Sequence, residues 1–182
     1  MIPLSEALKT VIIYGIAVVI SAVCAWTDWK NHKILNKITI NTAIAGIIIN
    51  GLLWGLPGIK NSVAGFGVGF ACIIFYLLGC LKAGDIKLYM ALGALLGYRQ
   101  LFLIVVYSIV IGGIAGIAVM LINRNGRERF RKLWVYMKNI FWTKSIRKYE
   151  PEGKGAYFSF GICIFCAVCA VLLKDLGYCE YL

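Results

Sequence analysis

Eight acidic residues are spread along 182 positions, and sorting them isolates two. Glu6 stands in the N-terminal flank, Glu128, Glu150 and Glu152 in a polar stretch, and Asp175 and Glu180 in the C-terminal tail. Asp28 and Asp85 remain. Asp28 follows the apolar run Val11 to Trp26, and Asp85 opens the apolar stretch "DIKLYMALGALLGY". An ionisable group near hydrocarbon is expensive and by default marks function. Two carboxylates held close in a poorly hydrated site do not both ionise easily. They share a proton, and their titration belongs to the pair. Such a pair suits amide hydrolysis: the ionised member takes a proton from water, and the protonated member polarises the scissile carbonyl. Neither a metal nor a covalent intermediate is required, and no cofactor is expected.

Each acid also has a structural reading when taken singly. Asp85 fits a helix N-cap favoured by the macrodipole, and Asp28 fits an ion pair with a nearby lysine. These readings weaken for the pair, because the two are the acids left at membrane depth and they share one face. Gly84 leaves room for a substrate backbone or another helix beside Asp85. Lys87 can tune the site or, as the slightly favoured reading, snorkel to lipid phosphate. Other chemistries find little support. A single histidine, His32, does not make a multi-histidine metal site. A serine paired with His32 stays open, but Ser21, Ser62 and Ser108 sit in no nucleophile-like context.

The elements that must position these acids follow from composition. The chain is 61% hydrophobic and 15% charged, more apolar than a soluble domain tolerates. Six apolar segments can be drawn, at about 8–27, 38–56, 62–81, 85–98, 100–122 and 156–174. A membrane span takes about 20 residues, so the fourth is short. Charge decides whether it crosses. If it does, Lys30, Lys33, Lys37, Lys82, Lys87 and the basic stretch 124–154 share one face, and that face is cytoplasmic. If it only dips in and returns, the most basic loop falls on the wrong side. The expectation is therefore an all-α, polytopic, single integral-membrane domain over 1–182, a bundle of six transmembrane helices. Both termini lie outside the cytoplasm, and a basic cytoplasmic loop covers about 123–154. The cost is a short, tilted or thinly covered fourth helix. Val11 to Trp26 does not read as a cleaved signal peptide, since Glu6 and Lys9 cancel in its flank.

The net charge of +11 invites a nucleic-acid reading. Ten of the nineteen Lys and Arg, however, lie between Arg124 and Lys154, which reads as a loop against anionic lipid. No nucleic-acid partner is expected. Trp134, Tyr136, Phe141 and Trp142 within that loop fit an interfacial helix. Cys24, Cys72, Cys80, Cys163, Cys166 and Cys169 lie in or beside apolar runs and read as reduced thiols packed between helices rather than as metal ligands. Intramembrane glycines, including Gly65, Gly69, Gly93 and the Gly112-x-x-x-Gly116 spacing, read as close helix packing.

These residues resemble a known family. "AGDIKLYMALGALLG", residues 83–97, is similar to the G-x-G-D-x-K-L motif of type IV prepilin peptidases and archaeal preflagellin peptidases. "TDWKNHKILN", residues 27–36, resembles the first aspartate motif, in which an Ile–Pro–Asn-like triplet follows the acid; here it reads Ile34-Leu35-Asn36. "GKGAYFSFG", residues 153–161, resembles the entry to the last helix. The chain departs from the pattern at Lys82, where the motif has glycine, and at Leu35, where it has proline. The resemblance implies an aspartic membrane endopeptidase with Asp28 and Asp85 catalytic and Gly84, Lys87 and Asn36 supporting. It implies prepilin-like substrates whose short basic leader is cut at the cytoplasmic membrane face. The extra cytosolic region of the N-methylating members is missing between the first two segments, so methyltransferase activity is not expected.

Two other readings stand beside this one: an inactive homologue, and a small cation- or proton-coupled transporter or assembly scaffold. A transporter would show matching halves and mid-span polar residues. Asn41 and Asn50 are the main candidates, and the halves do not visibly match. The sequence does not fix the oligomeric state.

Overall fold

The computed structural model describes residues 4–31, 34–78, 80–122 and 159–180. Among them every element is helical: α1 (Leu4–Asn31), α2 (Asn36–Ala71), α3 (Ile73–Leu77), α4 (Ala83–Leu96), α5 (Tyr98–Ile122) and α6 (Phe160–Glu180). The basic loop and its expected interfacial helix, together with His32 and Lys33, lie outside the described residues. The chain divides into two units, 1–111 with 159–182, and 112–158. Both aspartates belong to the first. The described part of the second continues α5 as helix, with Ile114 and Ile117 exposed.

Three stretches are long and apolar enough to cross a membrane: Leu8–Asn31, Asn36–Leu77 and Tyr98–Ala118. The second has 42 residues, which as a straight helix would measure about 63 Å, twice the hydrocarbon thickness of about 30 Å. It is not straight. Gly55 takes φ 64°, ψ −145°, a conformation that glycine adopts without strain. Pro57 follows, where a helix start has no use for the missing N–H. The chain doubles back there: a Cβ on Gly58 would lie 2.1 Å from the carbonyl oxygen of Asn50. The second and third apolar segments of the sequence are thus two arms of one kinked helix, 36–54 and 56–71.

The arms clasp α4. A Cβ on Gly46 would lie 2.9 Å from Ala94 backbone atoms, and one on Gly65 would lie 2.1 Å from the oxygen of Gly93. Backbones meet this closely only where side chains are absent, as membrane helices require when lipid supplies no hydrophobic drive. Of the alternatives expected for the fourth segment, shortness is the one seen. Its helix is short, 14 residues, but it is not thinly covered: Leu88, Tyr89, Leu92 and Ala94 are fully buried. Lipid-type surface falls to its neighbours, where Ile40, Ile44, Ile48 and Leu52 of α2 and Phe102 and Val106 of α5 are exposed.

Polar side chains tie the helices at fixed depths. The Tyr89 hydroxyl shares a 2.6 Å hydrogen bond with Ser108 of α5. Asn50 Nδ2 donates to Gly46 of its own arm and, across the packing, to the carbonyls of Ala94 and Leu95 at 3.2 and 2.9 Å. Those carbonyls belong to the last turn of α4, where a helix runs out of internal donors. The Tyr14 hydroxyl of α1 donates to Asp175 of α6. Two sequence expectations are adjusted. Of the described cysteines, Cys24, Cys72 and Cys163 are buried, Cys80 and Cys166 are exposed and Cys169 is intermediate, so the packed reading holds for the first three and not for Cys80 and Cys166. Among the described residues, Gly116 has nothing within 4 Å of a would-be Cβ, and the close glycine approaches seen are on α2 and α4.

Candidate active site

Along α1 the buried positions are Ile13, Tyr14, Ala17, Ser21, Cys24, Ala25 and Asp28, and Tyr14, Ala17, Ser21, Cys24 and Asp28 form a stripe at helical spacing. Asp28 is its last member, three residues before the helix ends at Asn31. The same stripe that carries the core therefore carries the carboxylate inward, and it is 1% exposed. Trp26 and Trp29 flank it on the outer face, exposed and in edge-to-face contact at 5.8 Å. Tryptophans of this kind belong at a membrane–water boundary.

Asp28 is met by the start of α6. Its Oδ2 accepts the Ser159 hydroxyl at 2.6 Å and the Gly161 N–H at 3.2 Å. The first-turn N–H groups of a helix lack internal partners and favour an anion. Gly161 packs closely on the acid: a Cβ there would lie 3.2 Å from both Cβ and Oδ2 of Asp28. Oδ1 faces the Lys82 ammonium at 3.7 Å.

Asp85 is the third residue of α4 and is also 1% exposed. Its Oδ2 accepts the backbone N–H of Lys82 at 3.1 Å, the acidic half of a capping box. Capping accounts for one oxygen. The other, Oδ1, is buried without a hydrogen-bond partner, and so is the Lys82 Nζ. Unpaired buried polar atoms are rare and call for a reason. Lys82 thus touches both acids, one through its backbone and one through its side chain, and Asp28 and Asp85 lie near enough to feel each other's charge. With one ammonium beside two carboxylates, the site is neutral when one proton is shared between the acids.

The remaining sequence candidates form a second layer. A Cβ on Gly84 would lie 3.2 Å from Cβ of Ile34, so its missing side chain makes room for the α1–α2 connection. Lys87 donates to Asn36 Oδ1 at 2.9 Å on the exposed side. The two motifs are therefore joined side chain to side chain, and the Lys87 ammonium serves Asn36 rather than an aspartate. Neither departure from the family pattern distorts the chain. Lys82 has φ −85°, ψ 154°, and Leu35 has φ −72°, ψ 116°, extended conformations open to any residue.

Ser159 and Gly161 were not among the sequence candidates. The legible signal for them was the Ser-Phe-Gly at the mouth of the last apolar run. Of the serines weighed as nucleophiles, Ser21 and Ser108 bond to carbonyls of their own helices, and any pairing with His32 lies outside the described residues. Asn41 is exposed, and the Asn50 amide is committed to three carbonyls. A cavity of about 330 Å³, lined by Tyr14, Asn50, Trp54 and Gln100 among others, lies at the opposite end from the acids.

Compared with known proteins, residues 15–117 match the type IV leader peptidase family, a stretch that includes both aspartates and Lys82. No curated protein and no solved structure matches the chain.

Proposed function

The chain belongs to the type IV leader peptidase family, a family of proteases, and from that premise we propose that Asp28 and Asp85 form an aspartic endopeptidase centre. The substrate class is the short basic leader of prepilin-like proteins, cut at the cytoplasmic membrane face. The observation that carries this reading is the meeting of two buried carboxylates from α1 and α4 around one lysine, with an oxygen of Asp85 left unpartnered.

The chemistry follows from the donor set. One carboxylate, ionised, removes a proton from a water as its oxygen attacks the scissile carbonyl carbon. The other, protonated, hydrogen-bonds the carbonyl oxygen and stabilises the tetrahedral intermediate. Collapse breaks the C–N bond. The leaving amine takes the proton that the first carboxylate had gained, and the net change is one water added across the amide. No group outside the chain is required.

The topology is six crossings. The arms of α2 count as two, and α4 crosses sheathed by them, so that its length of about 21 Å need not match lipid. Lys30, Lys37, Lys82 and Lys87 then share the cytoplasmic face with the acids, as the positive-inside rule favours. Four residues separate α1 from α2, which leaves no room there for a methyltransferase region.

The test is co-expression with a prepilin carrying a basic leader. Wild type shortens the precursor, while Asp28→Asn and Asp85→Asn, inserted to the same level, leave it intact. Cleavage surviving in either variant excludes the two-carboxylate mechanism. Failure of the wild type on a panel of prepilins favours the inactive-homologue reading.

A further inference from the structure

Lys82 is the one cation in contact with the two acids among the described residues, and its placement is unusual. Its backbone is fixed at the cap of α4, where its N–H bonds Asp85. Its side chain is 42% exposed along the stem, yet the ammonium is buried and makes no hydrogen bond. A lysine free to choose would place that group in water. Here it is turned inward to lie 3.7 Å from Asp28 Oδ1.

Resting on the peptidase reading, we propose that Lys82 is a positioning residue for the aspartate pair: its buried ammonium holds Asp28 as the anion, which makes Asp28 the water-activating member and Asp85 the proton carrier. Three observations converge on this division of labour. Every donor at the site, the Ser159 hydroxyl, the Gly161 N–H and the Lys82 ammonium, is aimed at Asp28 except the Lys82 backbone N–H. Asp85 keeps one oxygen with no donor at all, which is where a carboxylic acid places its proton. The charge on Asp28 in turn favours keeping Asp85 neutral, since like charges in one site repel.

The other titratable groups facing the pair do not compete for this role. Tyr89 of α4 and Cys163 of α6 face Asp85, with Cys72 beyond Tyr89. Phenols and thiols are uncharged where carboxylates titrate. The Lys82 charge also reaches Asp85, so its discrimination between the acids rests on geometry: the ammonium lies 3.7 Å from Asp28 Oδ1, on the carboxylate that Ser159 and Gly161 also address.

The decisive measurement is the protonation midpoint of Asp28 in the full-length protein in lipid. It is followed through the carboxylic-acid infrared band that disappears in Asp28→Asn. In Lys82→Met the midpoint rises, because the neighbouring cation is lost, and in Lys82→Arg it stays with the wild type. The acid limb of leader cleavage moves upward by the same amount in Lys82→Met, because a base must be ionised to act. An unmoved infrared midpoint in Lys82→Met, or an Arg variant that behaves like Met, overturns the proposal. Should Lys82→Met fail to insert, Lys82→Gln keeps the stem and a polar head and is read by the same criterion. The infrared midpoint needs no turnover. A wild type that cleaves nothing therefore sinks the peptidase reading while the band still decides the role of Lys82.

Discussion

The two ends of α4 hold the same kind of cargo, buried polar groups between helices, and treat it in opposite ways. At the C-terminal end Asn50 meets the carbonyls of Ala94 and Leu95, and nearby the Tyr14 hydroxyl meets Asp175. These donors and acceptors are matched, as most buried polar groups in a structural role are, although one neutral hydroxyl on that side, Ser62 Oγ, between Asn61 and the Gly65 that meets Gly93, is unpartnered. At the N-terminal end the unpartnered groups are ionisable: Asp85 Oδ1 and Lys82 Nζ are buried without hydrogen-bond partners. The difference separates groups that hold the fold from groups that wait for something. A carboxylate used only as a cap would have both oxygens engaged or one in water.

Exchange of charge at the open end gives the largest effect and would break the comparison if it failed. Asp85→Asn lowers cleavage at least about 100-fold, the usual scale for a lost acid–base group. It leaves the unfolding temperature in detergent unchanged or higher, because an unpaired acid is removed. Next is the seam between the ends. Gly65→Ala drives a methyl into the Gly93 carbonyl and destabilises by about 3 kcal/mol, the upper range for overpacking, seen as a lowered thermal midpoint. At the matched end, Asn50→Ala leaves two carbonyls of α4 unanswered. It costs about 2 kcal/mol in the same thermal assay, while the inserted fraction cleaves normally. Ser159→Ala removes one of the donors to Asp28 and sharpens the contrast at the smallest scale. It slows cleavage by several-fold, about 1 kcal/mol, with little change in stability. If Asn50→Ala and Asp85→Asn gave the same profile, the distinction between the ends would be void.

Much of this was legible in the sequence, and the reasons are physical. Carboxylates are so disfavoured near hydrocarbon that their positions alone nominated Asp28 and Asp85. The apolar segments were equally plain, because lipid imposes composition on whatever faces it. What composition could not carry was who encloses whom. The turn at Gly55 falls where the second apolar segment ends, but the sequence did not show that the chain doubles back there, since glycine and proline recur in membrane helices without breaking them. The coverage of α4 depends on Gly46 and Gly65 meeting backbones distant in sequence. Lys82 read as a departure from a motif, because its inward ammonium depends on helix packing that spacing does not encode. Ser159 and Gly161 were missed for a related reason: a helix start becomes an anion site only when a particular carboxylate arrives there from elsewhere in the chain.

The doubling-back at Gly55 has a consequence for biogenesis. Emerging from the ribosome, the hairpin of α2 is complete before α4 exists, and α4 is too short to hold a place in the bilayer alone. The later segment enters as a guest in a cradle already laid down, bringing Asp85 to Asp28 before the last helix adds Ser159 and Gly161. Assembly is thus the event that brings the two carboxylates together, and a chain halted before residue 83 would hold Asp28 without its partner.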